Sequence, residues 1–70
     1  MNIYVIYDSP KGYPGKYVMR VFEVTTGESK MTDRIAVSSS LEAVRDSVPP
    51  ECTRVVRDPN DDPAILESWV

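Results

Sequence analysis

The chain has one cysteine, Cys52, and no histidine among its 70 residues. A single cysteine cannot form an intrachain disulfide, and without histidine a Cys/His zinc site is excluded. A domain of about 60 residues buries only about 60% of its unfolded surface, so the core is thin and stability is marginal. Small chains compensate with disulfides, a structural metal or a partner subunit. Association with a second copy remains open, and a homodimer is therefore our hypothesis.

The aliphatic residues favour β-structure, because ten valines and four isoleucines stand against two leucines and three alanines. The hydrophobic share of 41% and the charged share of 27% are those of an ordinary globular chain. The chain begins at Met1 and has no tag-like or linker-like ends, so we expect a whole gene product. We predict one small α+β domain over residues 1–70, with a mostly antiparallel sheet and one short helix on one face.

Two strands are predicted in the first part of the chain. Residues 2–8 are apolar on both faces, which is typical of a central strand. Residues 9–16 contain two prolines and two glycines and predict a loop longer than a tight turn. Residues 16–25 resume a strand pattern, and we expect the two strands to pair antiparallel.

The middle of the chain predicts a turn, a connection and a helix. Residues 26–28 read as a turn, residues 29–34 as a polar connection and residues 34–37 as a short edge strand. Ser39 has the position of a helix cap, with Glu42 three residues later as in a capping box. The predicted helix of about nine residues ends before two consecutive prolines. Its apolar face consists of Leu41, Val44 and Val48.

The C-terminal part predicts a second hairpin, with strands near residues 51–58 and 64–70, which gives the order ββαββ. An alternative is a helical turn over residues 64–70, because Asp62 and Pro63 are typical of a helix start. We favour the strand, since isoleucine, tryptophan and valine prefer strands.

The acidic loop of this hairpin, DPNDD at residues 58–62, matches the opening of a calcium-binding loop. The rest of that motif is missing, because Pro63 stands where glycine is required and Trp69 where a bidentate glutamate is required. A solvated turn is the preferred interpretation, and we predict no metal or cofactor.

Two groups of residues are candidates for contacts with a partner. The 11–16 loop places an aromatic residue between two lysines, which suits a base or a phosphate, although an ordinary surface loop is the simpler interpretation. Two arginines bracket a valine pair, and cross-strand ion pairs with Asp58 and Glu67 are their simpler role. The predicted interaction residues are Lys11, Tyr13, Lys16, Arg54 and Arg57.

One helix cannot cover both faces of a four-stranded sheet, so one apolar face is expected to remain uncovered. Three tyrosines on the first two strands, Tyr4, Tyr7 and Tyr17, are expected to form a cross-strand cluster in the core or, on an uncovered face, an aromatic patch for a partner.

We predict that the chain is not an enzyme, because it has no histidine for proton transfer and no G-x-S-x-G elbow. An isoelectric point near 4.7 makes nucleic-acid binding unfavourable. No apolar stretch is long enough for a membrane span and the N-terminus lacks a basic signal-peptide region, so we predict a cytoplasmic location.

No motif of a known family is recognised. The leading hypothesis is a non-enzymatic protein-interaction or self-associating module that uses an uncovered sheet face or a strand edge. The alternative is a small ligand- or nucleic-acid-binding module that uses the 11–16 loop.

Overall fold

A five-stranded sheet with one short helix on one face makes up the computed structural model, which describes residues 1–55 and 63–70. Every strand pairing in these two ranges is antiparallel. The α+β prediction is confirmed, with one strand more before the helix than the predicted order ββαββ. The strand order across the sheet is β3-β2-β1-β5-β4. The elements are β1 (Asn2–Asp8), β2 (Tyr17–Thr25), β3 (Glu28–Ser38), α1 (Leu41–Arg45), β4 (Arg54–Val55) and β5 (Ile65–Trp69).

Strand β1 lies at the centre of the sheet, between β2 and β5, and this confirms the prediction made from its two apolar faces. The predicted antiparallel pairing of β1 with β2 is also confirmed, with Tyr4 opposite Val21. On the other side of β1, Tyr4 is opposite Trp69 of β5. The first and last strands of the chain therefore pair directly.

Strand β3 replaces the predicted connection at residues 29–34, which was wrong. Thr25 pairs with Glu28, so β2 and β3 form a hairpin whose turn is Thr26 and Gly27. Gly27 has a φ of 79°, a conformation that glycine adopts without steric cost. The strand was missed because most of its residues are exposed on an edge of the sheet, where polar side chains do not interrupt pairing.

Helix α1 begins one residue later than predicted and is only five residues long. Its N-cap is Ser40, whose side chain accepts a 3.4 Å hydrogen bond from the Ala43 amide, so the prediction of Ser39 was wrong. After Arg45 the backbone tightens, because the Val48 amide donates to the Arg45 carbonyl at 3.0 Å in a three-residue step. No helix in the described ranges combines the length and the apolar character that a membrane crossing requires.

The hydrophobic core lies between α1 and the sheet. Cys52 is half-buried against this core, where it packs as a small apolar residue. Tyr4 and Tyr17 contact the core, whereas strand alternation places Tyr7 on the other face, so the predicted cluster of three tyrosines was wrong. Of the predicted helix face, Leu41 and Val44 lie in α1 and pack on the core, whereas Val48 is buried in the core but follows the helix. The buried core residues are Tyr4, Ile6, Met19, Val21, Val44 and Val48.

The C-terminal segment forms strand β5, so the alternative of a helical turn over residues 64–70 was wrong. Strand β4 pairs antiparallel with β5, as the predicted hairpin requires. The acidic loop at residues 58–62 and the candidate contact residue Arg57 lie outside the described residues.

Candidate functional site

The sheet face opposite α1, called here the open face, is almost entirely apolar. The described helix packs on the other face, so α1 leaves this one uncovered. Val5 and Val18 are buried, but Met31 is 59% exposed and Val37 is 44% exposed. Strand alternation and the pairing registers place these apolar residues on the open face: Ile3, Val5, Tyr7, Val18, Phe22, Val24, Met31, Ile35, Val37, Val55 and Ile65.

The edge of the sheet at β3 is less suited to docking than the open face. Three residues, 32–34, lie opposite Val21 and interrupt the regular pairing with β2. The Thr32 hydroxyl donates to the Val21 carbonyl at 2.8 Å and accepts from the Arg34 amide at 3.2 Å, which holds this bulge in place. Bulges and charges on an edge strand, here Asp33 and Arg34, obstruct pairing with an additional strand.

Arg20 is a charged residue in the middle of the open face, between Val5 of β1 and Ile35 of β3. Its Nη1 atom donates to the Met31 Sδ atom at 3.5 Å, and a thioether is a weak acceptor. Within residues 1–55 and 63–70, no carboxylate forms an ion pair with Arg20. Within the described part of the chain, the weak contact with Met31 is therefore the hydrogen bond that this guanidinium forms.

A shallow cavity of about 510 Å³ lies beside Arg20 on the open face, and we call it the cationic groove. The first three residues of the 9–16 loop are part of its lining, and the Ser9 amide closes this loop by donating to the Lys16 carbonyl at 2.8 Å. Among the described residues, the groove is lined by the cationic side chains of Lys11 and Arg20 and by no carboxylate, so this part of its wall favours an anionic group. The lining residues are Tyr7, Ser9, Pro10, Lys11, Arg20, Met31 and Ala64.

The predicted interaction residues do not form one site. Lys11 lines the cationic groove, whereas Tyr13 is half-buried and Lys16 is exposed elsewhere in the same loop. Arg54 pairs with Trp69, whose side chain packs against the core, so Arg54 lies on the helix side of the sheet. Lys11 and Arg54 therefore lie on opposite faces of the sheet, and an interaction role for Tyr13 and Lys16 stays a prediction.

Glu67 is a buried carboxylate, 3% exposed, on the helix side of the sheet. Arg45 of α1 donates two hydrogen bonds to it, at 2.8 and 2.9 Å, and the Trp69 Nε1 atom donates a third at 3.1 Å. The predicted ion pair of Arg54 with Glu67 is present at 3.8 Å. The hydrogen bonds from Arg45 lower the pKa of Glu67 against the opposing effect of burial. A carboxylate held ionised in this way stabilises the fold and is unsuited to donating a proton.

Arg20 and Arg45 were not identified from the sequence as residues of interest. Arg20 could have been found, because it is the one charged position in an otherwise apolar alternation of Val18, Phe22 and Val24 along β2. Arg45 carried no such signal, since its partner lies 22 residues away and the pairing depends on where the helix docks.

Comparisons of the chain with models of protein families, with curated proteins and with solved structures found no match. The described residues contain no group of three or more cysteine, aspartate or glutamate side chains placed to hold a metal ion. The function is therefore inferred from the geometry of the open face.

Proposed function

We propose that this chain is a non-enzymatic protein-interaction module that binds another protein through the open face. The observation that supports this most directly is the exposure of large apolar side chains there, including Met31, Ile35 and Val37 of β3. Contiguous apolar surface on a small protein is typical of an interaction site. The bulge in β3 favours the face of the sheet over its edge.

The size of the open face favours a transient contact. Four spacings of about 4.8 Å separate the five strands, and the strands average about seven residues rising about 3.4 Å each, so the face measures roughly 20 by 20 Å. This corresponds to roughly 400 Å² per partner, compared with about 800 Å² in a stable complex of standard size. Partners that bind and dissociate readily have interfaces at this lower end.

The charge on the open face favours a different protein over a second copy as its occupant. In a two-fold symmetric dimer the same surface meets itself, so the central Arg20 of each copy would approach the other. Two guanidinium groups repel each other, most strongly where water is excluded. A partner with an apolar surface that carries a carboxylate would instead supply the counter-charge to Arg20.

Two further parts of the proposal concern chemistry and location. The buried carboxylate of Glu67 is held ionised by Arg45 and is unsuited to proton transfer. The chain also has no histidine, the side chain that most readily exchanges a proton near neutral pH. A cytoplasmic location stays a prediction.

The test is selection from a random peptide library on the immobilised protein. The double variant Ile35→Thr/Val37→Thr keeps β-branched side chains but makes the exposed part of the open face polar. Ser39→Thr is the matched control, since it introduces the same residue two positions beyond Val37, outside the sheet. We expect the wild type and the control to enrich apolar peptides with acidic residues, and the double variant to lose that enrichment.

Three results would contradict the proposal. The wild type could enrich no peptides, or the double variant could enrich them as strongly as the wild type does. In sedimentation analysis at tens of micromolar, a homodimer dissociated by Ile35→Thr/Val37→Thr would assign the open face to a second copy.

A further inference from the structure

We propose that the cationic groove is a binding site for a side-chain carboxylate of the partner, held by Arg20 and Lys11. This inference rests on the proposed function, because it specifies which chemical group the open face recognises. The residue that it predicts in the partner is an aspartate or glutamate flanked by apolar side chains.

The guanidinium of Arg20 is the main element of the site. It presents five N–H donors in a planar fork that matches the two oxygens of a carboxylate. The contact from its Nη1 atom to the Met31 Sδ atom is 3.5 Å long and weak, and among residues 1–55 and 63–70 its other donors have no side-chain acceptor. A carboxylate can therefore bind Arg20 without breaking an ion pair inside the described part of the chain.

Covering the open face makes the counter-charge necessary. A purely apolar partner surface would remove water from the guanidinium without replacing its hydrogen bonds, and burial of an unpaired charge is strongly unfavourable. The same apolar surroundings strengthen the attraction to a carboxylate, because water screens the charges less. Arg20 thus selects acidic partners over neutral ones of the same shape.

The lining of the groove indicates what surrounds the carboxylate. Lys11 contributes a second positive charge from the 9–16 loop. Apolar groups continue on both sides, with Met31 towards the β3 edge and Ala64 beside the start of β5. An acidic side chain within a segment, with apolar residues before and after it, can use the charge and both apolar ends together.

The experiment uses two small probes that mimic such a segment, 4-phenylbutyrate and the neutral 4-phenylbutyramide. Each is titrated into ¹⁵N-labelled full-length protein while the amide signals and the arginine Nε signals are recorded. We expect the acid to shift the signals of Arg20, Lys11 and Met31. The acid should bind about fivefold more tightly than the amide, the ratio for a partly exposed ion pair of about 1 kcal/mol.

A matched pair of variants assigns the effect to one side chain. Arg20→Met removes the charge but keeps a long apolar stem, and Arg34→Met removes the same charge from the β3 bulge outside the groove lining. We expect Arg20→Met to bind the acid and the amide equally, and Arg34→Met to retain the wild-type ratio. Both variants should keep the dispersed spectrum of the folded chain, because neither arginine forms an ion pair in the described ranges.

The possible failures separate this inference from the proposed function. Equal binding of both probes to the wild-type open face would overturn the carboxylate site and leave the apolar interaction surface standing. Shifts confined to residues outside the groove, or no shifts at all, would also overturn the site. A ratio that persists in Arg20→Met would contradict the role of Arg20. The peptide selection tests the interaction surface independently of all these results.

Discussion

Arg45 and Glu67 form a bidentate ion pair, in which Nε of Arg45 lies 2.8 Å from Oε1 of Glu67 and Nη2 of Arg45 lies 2.9 Å from Oε2 of Glu67. The pair joins helix α1 to strand β5 across 22 residues of sequence. A helix of five residues is unstable in isolation and depends on tertiary contacts. Arg45 supplements the packing of Val44 and holds the end of this helix against the sheet.

The first prediction concerns acid stability. The pKa of Glu67 is lowered from its ordinary value of 4.5, so the folded chain binds this proton less readily than the unfolded chain. The resulting stabilisation is fully present above pH 4.5 and is lost as the pH falls through the lowered pKa. We expect the free energy of unfolding, measured by urea titration, to decrease below pH 4.5 in the wild type.

The variant Glu67→Gln should be less stable than the wild type at neutral pH by about 1–3 kcal/mol, because Arg45 loses a charged acceptor. It should also lose part of the decrease in stability below pH 4.5. Glu42→Gln, on the exposed side of α1, is the control and should keep the wild-type pH profile. Identical pH profiles for Glu67→Gln and the wild type would refute the assignment.

The second prediction ranks the two arginines beside Glu67. Arg45 makes two short hydrogen bonds to the carboxylate, whereas Arg54 is 62% exposed and lies 3.8 Å away. Arg54→Ala should lower the free energy of unfolding by less than about 1 kcal/mol, as for a surface ion pair. Arg45→Ala should cost more than Arg54→Ala in the same urea titrations, and the reverse order would contradict this geometry.

The third prediction distinguishes the two faces of the sheet. Ile6 is fully buried beneath α1, and Ile35 on the open face is 42% exposed. Ile6→Ala should lower the free energy of unfolding by about 2–5 kcal/mol, because it removes buried apolar surface and leaves a cavity. In a marginally stable protein this loss is enough to unfold a large fraction of the molecules. Ile35→Ala should cost less than about 1 kcal/mol. Thermal unfolding followed by circular dichroism measures the stability of both variants. A larger loss of stability in Ile35→Ala than in Ile6→Ala would contradict the placement of the core between α1 and the sheet.

The fourth prediction concerns the turn between β2 and β3. Gly27 has a φ of 79°, and a Cβ atom added there would meet no atom within 4 Å. The cost of Gly27→Ala is therefore backbone strain alone, about 1–2 kcal/mol. Gly27→Asn should cost less, because asparagine tolerates this conformation better. Equal melting temperatures for Gly27→Ala and the wild type would contradict a left-handed backbone conformation at Gly27.

The sequence by itself determined the fold class and the two strands that are rich in β-branched and aromatic residues on both faces, β1 and β2. It also indicated the strand at the C-terminus and the apolar side of α1. These features are local, since a strand or helix repeats its apolar residues with a period set by its own backbone. Most of strand β3 was not predicted, because an exposed edge strand need not alternate apolar and polar residues. The helix cap was predicted one residue too early, because three consecutive serines can each act as a cap.

The tertiary structure alone decided the strand order and the face that remains open. It placed β5 beside β1, brought Glu67 to Arg45, and put Arg20 among apolar side chains with Lys11 nearby. It also separated Lys11 from Arg54, which the sequence had grouped. Each of these relationships joins residues far apart in the chain, and their positions depend on how the strands and the helix pack together rather than on any local period.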